Sequence, residues 1–275
     1  MASKQTTGPG HGRIDQDNTA PGLLEMDGLP MPRRIWAICA ISFGTALFVV
    51  DGAIANVALP TIARDLSVSN GAVTSVVTVY QLVMVMVLLP FATIGDRIGH
   101  RRLYQIGQVI FFLASAAALL IDSFWHLIAV RVLQSFGAGI ALSVSAAMLR
   151  TIYPAKSLGS GLGINSVIVA TAYAVAPTLG GFIVEHLDWR WVFVAAAPLA
   201  LISLAIGRFL PEPEPRSGRV DTISGLWSAL TALLLIGGLT LATHDMIVPG
   251  LAAIVAGVIS AFLLTRRENG KERPI

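Results

Sequence analysis

Two charged residues stand where charge is expensive. Asp51 and Arg131 each lie inside a continuous apolar run, IWAICAISFGTALFVVDGAIANVAL around the acid and WHLIAVRVLQSFGAGIALSVSAAML around the base. A carboxylate in such surroundings can be discharged by a proton, whereas a guanidinium keeps its charge and can only tune the acid or hold a polar network. If both runs are helices crossing a bilayer in opposite directions, Asp51 lies eight residues before Leu59 and Arg131 six after Trp125. At ~1.5 Å per residue that is about 12 Å and about 9 Å from the same face, a matched depth that predicts pairing. Two readings of the pair stay open: a structural ion pair, or a titrating or cation-binding acid in a watery cavity. Arg131 and Gln134 are three apart and share a helix face, while Asn56, five beyond Asp51, need not. The expectation is a polar cleft lined by Asp51, Arg131, Asn56 and Gln134, with Asn165 on a further run.

The runs that must position these residues number eight, of 19 to 27 residues each: Ile35 to Leu59, Ala72 to Gly95, Leu103 to Ile121, Trp125 to Leu149, Leu158 to Val184, Trp191 to Leu210, Thr222 to Ala242 and Ile247 to Thr265. Each is long enough, or nearly so, to cross a hydrocarbon core of roughly 30 Å as a helix. Continuous apolarity, without strict alternation, excludes a β-barrel. With 55% hydrophobic and 13% charged residues, little chain remains for a soluble catalytic domain. The fold class is all-α, a polytopic membrane helix bundle. Only one further charge, Arg208, falls within the runs, two residues from an end where its side chain can snorkel to the interface.

The connecting segments carry the topology. Sixteen Lys and Arg fall on one side of the membrane and two, Arg64 and Arg190, on the other, which predicts both termini in the cytoplasm. An even number of spans requires the same. Residues 1-34 read as a disordered cytoplasmic tail rather than a signal peptide. A six-helix bundle is expected over 35-210, a Pro/Glu-rich cytoplasmic linker (PEPEPRSGR) over 211-221, two additional helices over 222-265 and a cytoplasmic tail over 266-275. The extended linker predicts that the last two helices stand apart from the first six. The basic residues are spread over these loops rather than gathered in a patch, so no nucleic acid partner is expected. No His/Cys spacing reads as a metal site and no serine has a base partner, so the chain is expected to be no enzyme and to need no cofactor. The aromatics Tyr80, Tyr173 and Trp227 could meet a lipophilic substrate, or simply pack.

Four motifs resemble the major facilitator superfamily, and within it the fourteen-span branch of drug:proton antiporters. Gly95-Asp96-Arg97-Ile98-Gly99-His100-Arg101-Arg102 is similar to its cytoplasmic loop signature, and Asp51 with Asn56-Val57-Ala58-Leu59-Pro60 to a first-helix pattern of that branch. Arg131-Val132-Leu133-Gln134 resembles its Arg-x-x-Gln motif. Ala176-Pro177-Thr178-Leu179-Gly180-Gly181 is similar to its antiporter motif, and Trp189-Arg190-Trp191 follows as in the drug exporters. The sequence departs at Ala92, His100, Ser135, Ala172 and Ala176, where the patterns carry other residues. The resemblance implies a transmembrane transporter of the bacterial inner (cytoplasmic) membrane, exporting lipophilic or cationic small molecules against protons. Asp51 and Arg131 would couple protons, and Asp96, Arg97, Gly99 and Arg101 would form a conformational loop. Pro177, Gly180 and Gly181 would bend the fifth helix or bring it close to another. It covers the first six-helix half and the two inserted helices, so a missing C-terminal half, or a second copy, is the expected partner beside the lipid bilayer. The alternatives are a carrier of another small metabolite and a non-transporting truncated or accessory membrane protein.

Overall fold

Two serine caps and a one-residue glycine turn set several of the helix ends. In the computed structural model, which describes residues 28-212, 222-243 and 246-269, α1 (Arg33–Asp65) and α2 (Asn70–Ile98) are separated by a short turn. The Ser69 hydroxyl there accepts from the Ala72 amide at 3.1 Å, satisfying one of the first-turn N–H groups. Gly99 alone divides α2 from α3 (His100–Ala117), at φ +105, a conformation open to glycine and strained for any other residue. α3 tightens into a 3-10 turn, and Ser123 then caps α4 (Phe124–Ile152). Pro154 precedes α5 (Ala155–His186).

The sixth span is not the continuous helix its apolarity predicts. It breaks into α6 (Trp191–Val194) and α7 (Ala197–Ile206), followed by a 3-10 turn over Gly207–Phe209. Pro198 occupies the second position of α7, where its missing N–H costs nothing but would interrupt a helix running through. Two further helices follow, α8 (Thr222–Thr243) and α9 (Ile247–Asn269). Among the described residues eight spans are long and apolar enough to cross a membrane, and the molecule is a multi-pass membrane helix bundle.

Small residues let the helices approach closely, as expected where lipid removes most of the hydrophobic drive between them. A Cβ on Gly107 of α3 would lie 2.6 Å from the Gly137 carbonyl oxygen of α4, and one on Gly139 would lie 2.9 Å from Val87 of α2. α5 leans on α1, and α7 packs against both α1 and α3. α1 feeds two apolar cores, contributing Ala37 to Phe48 to one and Val50 to Ala63 to the other. Asp51 falls beside the seam between them.

Three boundaries differ from those expected. The segment taken as the end of a tail is built in: Leu29 is buried and donates to the Ile152 carbonyl at 3.1 Å, and Arg33 already belongs to α1. Arg33 also donates to the carbonyls of Phe209 and Leu210, at 3.1 and 3.3 Å, filling acceptors that the end of the sixth span leaves free. At the other end, helix α9 continues four residues past Thr265 to Asn269, while 270-275 lie outside the described residues. The α8–α9 hairpin does not stand apart. α8 packs on α2, with the site of a Gly225 Cβ only 3.2 Å from Pro90, because glycine against a proline-bearing helix permits near-backbone contact. Of the linker itself, 213-221 lie outside the described residues.

Candidate functional site

The charge pair is assembled by α1 and α4 and sealed by their neighbours. Arg131 Nη1 donates to Asp51 Oδ2 at 2.8 Å and to Gln134 Oε1 at 3.0 Å. Gln134 is in turn held from two other elements: its amide nitrogen donates to the Ser115 hydroxyl of α3 at 2.9 Å and to the Phe193 carbonyl of α6 at 3.0 Å. Asp51, Arg131, Gln134 and Ser115 are all 0% exposed. The break in the sixth span lies two residues beyond Phe193, so this acceptor belongs to the short helix α6.

Two aromatic rings take the place of water around the guanidinium. Arg131 Cζ lies 4.0 Å from the Tyr80 ring centroid and 5.2 Å from that of Phe193, distances at which the ring quadrupole attracts a cation. Asp51 Oδ1 and Arg131 Nε and Nη2 make no hydrogen bond to protein, so the ion pair is joined by one contact rather than by a two-pronged clasp. That arrangement holds a charge without saturating it. Each member depends on the other, and the acid keeps an oxygen available to a proton.

The pair does not line an open cleft with Asn56, as the sequence predicts. A cleft of about 220 Å³ does exist between α1, α2, α4 and α5, and Asn56 lines it together with Thr45, Gln81, Met84 and Tyr173. Tyr80, 2% exposed, stands between this cleft and the charges. Asn56 is exposed and its amide donates back to the Gly52 and Ala53 carbonyls, both at 3.3 Å. Five residues from Asp51 is about 140° around a helix, enough to turn the two side chains away from each other. Asn165 is partly buried on α5 and does not line the cleft. The expected polarity of this wall therefore comes from uncharged groups, with Asp51 and Gln134 withdrawn behind it.

The α2–α3 loop gathers a second cluster. Asp96 pairs with His100 at 3.2 Å, at the start of α3, while Arg97 is exposed. Arg102 Nε donates to Glu212 Oε1 at 3.1 Å, and Arg101 lies 4.0 Å from the same carboxylate. Glu212 belongs to the stretch expected to be linker; its position two residues past the sixth span is the signal that an acid there can reach a basic turn.

In α5 the two adjacent glycines separate in role. A Cβ on Gly180 would lie 2.9 Å from Ile54 and 3.1 Å from Val57 of α1, so this is a close helix contact; Gly181 faces open space. The expectation that both serve packing holds for Gly180 alone. Pro177 is exposed within an unbroken α5. Sequence reasoning also passed over Ser115, which only the packing of α3 on α4 brings to Gln134. Among the described residues no group of three or more His, Cys, Asp or Glu is placed to hold a metal.

Known proteins supply the context for this geometry. Residues 41–265 match the family model of the Major Facilitator Superfamily. The chain is 41% identical to the uncharacterized transporter YebQ of Escherichia coli over 89% of its own length and 54% of that protein. It is 32% identical to the riboflavin transporter RibZ of Clostridioides difficile, over 66% of the chain and 40% of RibZ. To the multidrug efflux pump LfrA of Mycolicibacterium smegmatis it is 30% identical, over 89% of the chain and 49% of the pump. Among solved structures, the inward-open xylose transporter XylE of E. coli superposes with a TM-score of 0.59 at 17% identity, over 83% of this chain and 56% of that one. The chain thus spans about half the length of the curated relatives it matches. With eight spans among its described residues, its loop and helix motifs and a family match over most of its length, this chain belongs to the Major Facilitator Superfamily.

Proposed function

We propose that this chain forms the proton-handling half of an exporter of lipophilic or cationic small molecules, working by exchange for protons. The observation that carries the reading is the Asp51–Arg131 pair: fully buried, joined by a single contact, and separated from a cleft of about 220 Å³ by one aromatic ring. Protonating Asp51 removes the charge that Arg131 answers, so the network that spans α1, α3, α4 and α6 has a reason to rearrange. A carrier that rocks two halves about a central site needs a second wall, which a partner would supply. The partner is a C-terminal half or a second copy facing the first. The charge bias of the loops supports a cytoplasmic α2–α3 turn, Glu212 and termini, in a bundle of the inner membrane.

Similarity to a multidrug pump supports export of lipophilic compounds, and similarity to a riboflavin transporter supports a metabolite carrier built on the same wall. The test is Asp51→Asn in the assembled transporter, reconstituted with an imposed pH gradient. Gradient-driven movement of a lipophilic cation is expected to vanish while gradient-independent exchange continues. Undiminished pH-driven export in that variant would place coupling at another residue.

A further inference from the structure

Tyr80 has two neighbours of different kinds. On one side its ring covers the Arg131 guanidinium at 4.0 Å, and its buried hydroxyl has no hydrogen-bond partner in the protein. On the other side it forms part of the cleft wall beside Gly52, the residue next to Asp51, where a Cβ would make an ordinary contact of 3.6 Å with Tyr80 Cε1. The residues lining the cleft carry no formal charge. A ligand seated there meets the faces and edges of Tyr80 and Tyr173, the amides of Asn56 and Gln81 and the hydroxyl of Thr45, and meets neither charged group. At about 220 Å³ the cleft is smaller than pockets that enclose a drug-sized molecule, roughly 300–1,000 Å³, so it takes one part of such a molecule.

We propose that this cleft binds the uncharged aromatic part of its ligand, and that Tyr80 is the partition separating that ligand from the Asp51–Arg131 pair. The proposal rests on the transporter reading for the meaning of the cleft. It goes further in assigning the recognised chemistry and in making Tyr80 a positioning residue rather than packing. Direct pairing of a cationic substrate with Asp51 is ruled out in the conformation described, since the acid has no exposed surface and its charge is already answered by Arg131. Ring stacking and amide hydrogen bonds are then the selective forces, and neither requires a charge on the ligand.

Two measurements on the purified full chain in lipid nanodiscs test this. In the first, binding of triphenylphosphine oxide and of tetraphenylphosphonium, an uncharged and a cationic aromatic of similar size, is compared after correction for partition into protein-free discs. Affinities within about threefold, or favouring the neutral probe, are expected; a tenfold preference for the cation overturns the assigned chemistry. In the second, the rate at which dicyclohexylcarbodiimide modifies Asp51 is followed by peptide mass spectrometry. Tyr80→Phe keeps the ring and should stay within twofold of the parent, whereas Tyr80→Ala should react at least tenfold faster and be slowed at least fivefold by triphenylphosphine oxide. Tyr80→Leu gives an independent opening of the partition should the alanine variant fold poorly, with the same acceleration expected. Unchanged reactivity in a folded ring-less variant, or acceleration that the ligand does not slow, overturns the partition. Neither measurement requires transport, so a failure here is separate from a failure of the Asp51→Asn experiment.

Discussion

Arg131 and Arg102 each hold a carboxylate at hydrogen-bonding distance, 2.8 Å to Asp51 and 3.1 Å to Glu212, yet the two pairs differ in nearly everything that follows. The first is 0% exposed on both sides; in the second the arginine side chain is 71% exposed and the glutamate 37%. Similar geometry therefore carries very different energy. Deep in protein, each charge has surrendered its water and depends on its partner, so losing one strands the other. At the surface, water and salt replace whichever member is lost. Burial rather than bond length marks the pair that can serve as a switch, because only there does one proton change the balance by several kcal/mol.

The largest effect that could break this contrast is removal of one buried charge. Arg131→Gln and Asp51→Asn should each destabilise the fold by about 3–5 kcal/mol, the cost of an uncompensated buried charge. Asp51→Asn should be the worse, since a stranded carboxyl can take up a proton and a stranded guanidinium cannot shed one. The double variant Asp51→Asn/Arg131→Gln, which removes both charges and leaves two amides that can hydrogen-bond, should recover much of the loss. Thermal unfolding of the four proteins measures all of this, and a double variant as unstable as the sum of the singles would show that the two charges do not depend on each other.

Much of the buried site is legible in the sequence. Apolar run lengths located the spans, and residue counts placed Asp51 and Arg131 at one depth, where they meet. The three-residue spacing put Gln134 beside Arg131. What the sequence leaves undetermined is how far each helix turns about its own axis, because that is set by packing. Asn56 turned out toward the cleft for this reason, while Gly180 met α1 and its neighbour Gly181 met nothing. Tyr80 was one aromatic among many until α2 set its ring between cleft and charge. The break at Pro198 was readable from the proline alone, but an apolar run with no polar residue beside it hid the signal. Glu212 and the docking of α8 on α2 depend on where the end of the sixth span comes to rest, and no periodicity encodes that.

An intermediate effect sharpens the comparison from within the buried network. Gln134→Leu keeps the volume but withdraws an acceptor from Arg131 and donors from Ser115 and Phe193, leaving three buried groups unsatisfied. A loss of about 1–3 kcal/mol is expected, below that of stranding a charge. Combined with the double charge-neutral variant, the same substitution should cost less, because Arg131 is no longer there to be satisfied. Chemical or thermal unfolding of the two backgrounds reads the difference; equal costs in both would mean that Gln134 serves Ser115 and Phe193 and not the ion pair.

The smallest effect belongs to the exposed pair, and its size is the sharpest check on the contrast. Glu212 approaches the α2–α3 turn from beyond the sixth span, its Oε1 lying 3.4 Å from where a Cβ on Gly99 would stand, and it faces both Arg101 and Arg102. Glu212→Gln keeps the shape and a hydrogen-bond acceptor and removes only the charge. Exposed ion pairs contribute about 0.2–1 kcal/mol, so the variant should lose no more than that in stability at low salt. Screening lengths fall from about 10 Å at 0.1 M salt to about 3 Å at 1 M, and the parent should fade to the stability of the variant over that range. The buried pair, shielded from mobile ions, should show no such convergence: Asp51→Asn should remain as far below the parent at 1 M salt as at 0.1 M. Unfolding midpoints of the parent and both variants across that salt series decide the matter. A Glu212→Gln loss above about 2 kcal/mol that salt leaves untouched would mean that this pair too is sheltered, and that the turn is held by a buried contact rather than a surface one.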